Sequence, residues 1–144
     1  MFGSWLRRTI FWIVDILKGG FVKKHYIDIV DKMEYGKDSK DVLPDLLTYV
    51  RENVPHYSKI KESRLEFFPI VSKQDMKNYP TDFRSREYPN ENKLHSVYTG
   101  GSSGVPFKAV QDNNKRCRNI ADIIYCHNKI GWKLGDKYIF VRGP

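Results

Sequence analysis

The spacing of apolar positions changes once along the chain. Through residue 92 the chain is mainly helical in pattern, its helices marked by apolar side chains every three or four residues, the period of a helix with one buried face. The run ending at Leu17 is stopped by Gly19-Gly20. Phe21, Val22, His25, Tyr26, Ile29, Val30 and Met33 mark a second helix that stops at Gly36. After the polar stretch "KDSKD", a third helix is predicted from about Asp41 to Asn53, with Pro44 in its first turn and Leu46, Leu47 and Val50 inward. "FFPIV" is short and contains a proline, so it reads as extended. Ser72, three before Asp75, makes a capping box that opens a short helix ending before Pro80. Residues 81–92 read as a polar loop.

Beyond residue 92 the period shortens. "HSVYT" and "PFKAVQ" read as two strands joined by a Gly/Ser loop, a hairpin. "DNNKRCRNIADIIYCHNKIG" reads as a helix capped at Asp112 or Asn113. Ile120, Ile123, Ile124, His127 and Ile130 form its apolar stripe, and Gly131 ends it. "GWKLGD" is a turn, and "KYIFVRG" reads as the start of a buried strand. The expectation is a mixed α/β chain, with a mainly helical region over 1–92 and the start of an α/β core over 93–144. A sheet of so few strands leaves its apolar faces uncovered, so an incomplete domain is expected.

The first helix carries its own question. Ser4, Arg7, Arg8, Asp15 and Lys18 fall within roughly a 100° arc, leaving a broad apolar face with Trp5, Phe11, Trp12 and Ile16. The apolar run is interrupted by Asp15 and falls short of the ~20 residues that span a bilayer. No small-residue cleavage site follows it, which argues against a secretory signal. Packing against the protein's own body is the commoner fate of such a face and is the expectation here. The competing reading is a helix lying in a membrane interface, with tryptophans beside arginines.

The net charge of +8 makes nucleotides, acidic metabolites and acidic lipid natural partners. The basic residues are scattered, and aromatics are not interleaved with them in any compact stretch, which argues against nucleic acid. The two cysteines, Cys117 and Cys126, point to opposite faces of one helix, so they neither bridge nor share a metal. Free thiols suit a reducing compartment, the cytoplasm. No CxxC or HExxH is present, and His25, His56, His95 and His127 are isolated in sequence.

The chemistry concentrates in "SVYTGGSSGVPFKAV". Glycines permit positive φ, and consecutive inward N–H groups form a nest for an anion, with serine and threonine hydroxyls as further donors. Thr99 to Gly104 supplies both. No Gly-Lys-Ser/Thr follows at Walker A spacing, and the pattern is not GxGxxG. Local composition leaves two readings open, a phosphate-binding loop and a flexible turn.

"YTGGSSGVPF" resembles the Thr-Ser-Gly-Ser/Thr-Ser/Thr-Gly-x-Pro loop of the adenylate-forming superfamily of acyl-CoA synthetases and ligases. Glycine in second place is similar to the phenylacetate–CoA ligase branch and its CapK-type proteins of capsular polysaccharide synthesis. "FFPIVSKQDM" resembles that branch's Leu-Pro-Ile-x-x-Lys-x-x-Leu segment, and "GWKLGDKYIFVRG" its Gly-Trp-x-x-Gly-Asp-Arg segment. The likeness covers roughly residues 60–144.

This resemblance implies ATP-dependent activation of a carboxylate as acyl-AMP, often with onward transfer to the thiol of CoA. It implies ATP and Mg²⁺ as cofactors, with the Mg²⁺ ligands outside this chain. Thr99, Gly100, Gly101, Ser102, Ser103 and Gly104 are then the phosphate-binding residues, with Lys108 the nearest cation. Gly100 stands where many members have serine, and Val105 and Phe107 stand where many have lysine. An ionised carboxylate is already a nucleophile, so no catalytic triad is required and no catalytic residue is assigned. Arg116 and Arg118 are expected to face solvent, His127 to be a packed core histidine and Trp132 a core anchor. The family's remaining elements are expected beyond Pro144, so the chain is read as an N-terminal portion, inactive alone. Two alternatives stand beside this reading. One is a non-catalytic module that holds a nucleotide or sugar phosphate, and the other is a basic domain held at a membrane surface, at the inner face of the membrane.

Overall fold

The computed structural model describes residues 2–36, 42–90, 92, 94–99 and 106–139. The chain is helix-rich and mixed α/β, with five α-helices and one two-stranded antiparallel sheet among these residues. Its contacts divide it into two compact units, one of residues 1–39 with 113–144 and one of residues 40–112. Neither coincides with 1–92 or 93–144, because the last helix packs on the first two.

The first unit contains α1 (Phe2–Leu17), α2 (Phe21–Tyr35) and α3 (Asn113–Lys129, the last helix in the chain). Val22 and Ile29 of α2 meet Ala121 and Ile124 of α3 in the core, with Phe11, Trp12, Tyr26, Cys117, Tyr125 and Leu134 packed round them. Ala121 is fully buried, and its single methyl lets the two helices approach closely. The seam therefore runs through Cys117, Ala121 and Ile124, sharing Ile124 with the isoleucine stripe expected from the sequence but lying to one side of it. Ile120, Ile123 and Ile130 of that stripe are exposed.

α1 buries only part of the face expected to pack inward. Asp15 is buried, and Phe11 and Trp12 pack on the core. Trp5, Leu6, Ile10, Ile13, Ile16 and Leu17 are exposed. The reason is the corner after α1. Asp15 Oδ1 accepts the N–H of Val22 and Oδ2 that of Lys23, each at 3.0 Å, and so caps α2. Gly20 precedes α2 with φ 69° and offers no side chain for that task. Drawing Asp15 inward rotates the apolar face outward.

After α3, Gly131 N donates to Asn128 O and Trp132 N to His127 O, the paired bonds of a Schellman ending. The turn Leu134–Asp136 returns to α1, where Arg7 Nε donates to Gly135 O at 2.7 Å. Gly135 has φ +97°, and a Cβ there would collide with the backbone oxygen of Ser4. The strand expected over 137–143 does not form where the chain is described. Residues 137–139 have no regular structure, with Ile139 90% exposed, because no neighbouring strand among the described residues pairs with them.

The second unit begins with α4 (Leu43–Asn53), whose first turn contains Pro44. Leu47 is buried, whereas Leu46, expected inward, is exposed. Val54 leaves the helix in the extended region, as a residue before proline must, and is buried. Short 3₁₀ turns at Pro55–Tyr57 and Leu65–Phe67 follow; Phe67, expected extended, closes the second turn, and Phe68 has extended backbone. α5 (Lys73–Asn78) opens on the expected capping box: Ser72 Oγ accepts from Asp75 N at 3.1 Å and Asp75 Oδ2 from Ser72 N at 2.9 Å. The sheet pairs β1 (His95–Thr99) with β2 (Phe107–Gln111), His95 opposite Gln111 and Thr99 opposite Phe107.

Candidate functional site

The strands β1 and β2 form the frame of the glycine loop. Five residue pairs in antiparallel register hold Thr99 and Phe107 opposite each other at one end of the sheet. Thr99 is the last residue of β1. Gly100, Gly101, Ser102, Ser103 and Gly104 lie outside the described residues. Pro106, at the exit, is exposed.

Successive side chains of a strand alternate between the two faces of the hairpin. Lys108 pairs with Tyr98 and is exposed on their shared face. Phe107 points to the other face, and there Lys73 Nζ stands 5.8 Å from its ring centre. Lys73 is the first residue of α5, set in place by the Ser72–Asp75 box immediately before it. The hydroxyl of Ser72, with its N–H in support, holds the Asp75 carboxyl below its ordinary range, so that the carboxylate stays ionised at the start of the helix. A cation therefore lies on each face of the hairpin near the loop. Lys73 occupies the lysine of "PIVSKQDM", a visible signal, but only folding shows that this segment meets β2.

The base of the hairpin is tied down as well. Tyr88 donates to Asp112 Oδ2 at 2.9 Å, and that carboxylate raises the tyrosine's pKa by favouring the protonated phenol. Tyr49 donates to Glu87 Oε2 at 2.6 Å, with the same effect on its own pKa. These bonds link α4 to residues 85–88, and residue 88 to the end of β2. Beside them His56 stacks on Phe83 with ring centres 4.1 Å apart, and Tyr57 on Phe68 at 5.4 Å. Burial pushes the Tyr57 phenol above its usual pKa.

The other residues singled out from sequence lie in the first unit. Arg118 does not simply face solvent: it donates to Asp28 at 2.6 Å and to Asp122 at 3.2 Å, bridging α2 and α3. Arg116 is exposed. His127 packs edge-on to Trp132 at 5.1 Å, and Trp132 packs edge-on to Tyr138 at 5.7 Å. The Trp132 indole N–H has no hydrogen-bond partner among the described residues. Cys117 and Cys126 are both free thiols. Among the described residues no three His, Cys, Asp or Glu side chains come together as a metal site, and no helix is long and apolar enough to cross a membrane. Set against family models, curated proteins and solved structures, the chain matches none of them.

Proposed function

We propose that this chain is the N-terminal portion of an ATP-dependent adenylate-forming ligase, one that activates a carboxylic acid as its acyl-AMP. The observation that carries the reading is the sequence "YTGGSSGVPF", which joins two strands whose register holds Thr99 opposite Phe107. Pairing of Thr99 with Phe107 brings the two ends of the glycine-rich segment together, which lowers the entropy lost when its N–H groups converge on an anion. Thr99, Gly100, Gly101, Ser102, Ser103 and Gly104 are proposed to donate to the phosphates of ATP. Lys73 on one face and Lys108 on the other supply positive charge, which the net +8 of the chain reinforces.

ATP would supply the phosphorus that the carboxylate attacks and the pyrophosphate that leaves. The chain's own part is to hold the phosphates still and to offset their charge, the electrostatic work on which such transfers depend. The loop and both lysines suit that task. The described residues provide no Mg²⁺ site, and no step is assigned to one. On this reading the protein works in the cytoplasm, and CoA and a role in surface polysaccharide synthesis are the downstream chemistry proposed by resemblance.

The test is calorimetric titration of ATP into the full chain. Binding is expected to be competed by tripolyphosphate and not by adenosine, and to weaken about tenfold or more when Gly101 and Gly104 are both replaced by valine. Binding that adenosine competes as well as tripolyphosphate does, or that the double variant retains in full, would overturn the proposal.

A further inference from the structure

We infer that α1 is an interfacial anchor, its exposed apolar face lying in the headgroup region of an anionic lipid bilayer. Trp5, Leu6, Ile10, Ile13, Ile16 and Leu17 occupy roughly 140° of the helix circumference. All of them are half or more exposed: Leu6 is 51% exposed, Ile16 58% and Leu17 80%. Single exposed leucines are ordinary, but a contiguous face of this kind marks a surface that something else covers. At 16 residues α1 is too short to cross a bilayer, so the fitting geometry is parallel to the surface.

Charge selects the occupant. The single acidic residue of α1, Asp15, is buried and committed to the N–H groups of Val22 and Lys23. The charges that α1 and the residue after it present at the surface are therefore Arg7, Arg8 and Lys18, all positive and all exposed. Round the helix, Arg7 and Lys18 follow the apolar face on one side, while Trp12 and Arg8 follow it on the other. Two copies joined face to face would bring these cations together with no carboxylate from α1 to offset them. A bilayer with anionic headgroups supplies the countercharge, and tryptophan is at home at that depth. The inference rests on α1 alone and is independent of the glycine loop.

The experiment is co-sedimentation of the full chain with vesicles, one set of phosphatidylcholine and one of phosphatidylcholine mixed with phosphatidylglycerol. Binding to the mixed vesicles is expected, several-fold weaker to the neutral ones and several-fold weaker at high salt, with a blue shift of tryptophan emission. Ile13→Glu and Leu17→Glu, both at exposed positions, are each expected to lower the partition about tenfold or more, with far-UV circular dichroism unchanged. No binding by the folded chain to either vesicle would overturn the inference, as would unchanged binding by both variants. So would self-association in sedimentation velocity that Ile13→Glu abolishes, which would make a second copy the occupant.

Discussion

Asp15 holds the corner between α1 and α2 through two charge-assisted hydrogen bonds from a site only 7% exposed. Asp15→Ala leaves the N–H groups of Val22 and Lys23 without that acceptor, and a cost of about 2 kcal/mol is expected by chemical denaturation. Gly135 is a second position at which one atom decides the outcome. Its φ of +97° and its closeness to Ser4 O leave no room for a Cβ, so Gly135→Ala is expected to cost about 2 kcal/mol or more, through strain and displacement of the turn from α1. The same denaturation experiment reads it, and a change within measurement error would contradict the docked turn. The sequence marked both residues without giving their roles. Asp15 stood out as a charge interrupting an apolar run, and Gly135 as part of "GWKLGD". What they touch is set by distant backbone atoms, which no local pattern encodes.

At the scale of elements, α2 and α3 meet through Ala121, and a larger side chain has nowhere to go. Ala121→Leu is expected to destabilise the chain by about 1–3 kcal/mol through overpacking. Asp28 adds an electrostatic tie. Lys32 first, then Arg118, hold its carboxyl below the ordinary value against partial desolvation. A depressed folded-state pKa contributes stability that is present above the unfolded value near 4 and lost as pH falls through the lower folded value. Both partners are partly exposed, so the contribution is expected to be no more than about 1 kcal/mol. Asp28→Asn should therefore lower the denaturation midpoint at pH 7, and its difference from the wild type should shrink as pH falls through the lowered folded-state value. Helices, their stops, the Ser72 box and the hairpin were all legible from period and cap residues. The face that α2 buries, with Val22, Tyr26 and Ile29, was legible too, whereas those of α1 and α3 were not. The isoleucine stripe of α3 and the broad apolar face of α1 outweigh their neighbours in hydrophobicity, yet the packing follows small Ala121 and the capping reach of Asp15.

Across the whole molecule the distinctive features are uncovered apolar surface and positive charge. Ile120, Ile123, Tyr138 and Ile139 remain exposed in the first unit, as does the outer face of α1. The glycine loop stood out in the sequence because its residue types are rare in such density. The two strands beside it were equally visible, but the meeting of Lys73 with Phe107 is a tertiary contact that no local pattern encodes. If both lysines serve the phosphates, Lys73→Ala and Lys108→Ala should each weaken ATP binding about threefold to tenfold without altering the melting temperature, and their effects should add. The most direct measurement is a ¹⁵N-resolved amide spectrum of the full chain titrated with ATP. The account predicts that the N–H resonances of Gly100, Gly101, Ser102, Ser103 and Gly104 move together and saturate with the nucleotide, and that adenosine leaves them in place. Saturable shifts confined to other residues, with these five amides unmoved, would contradict it.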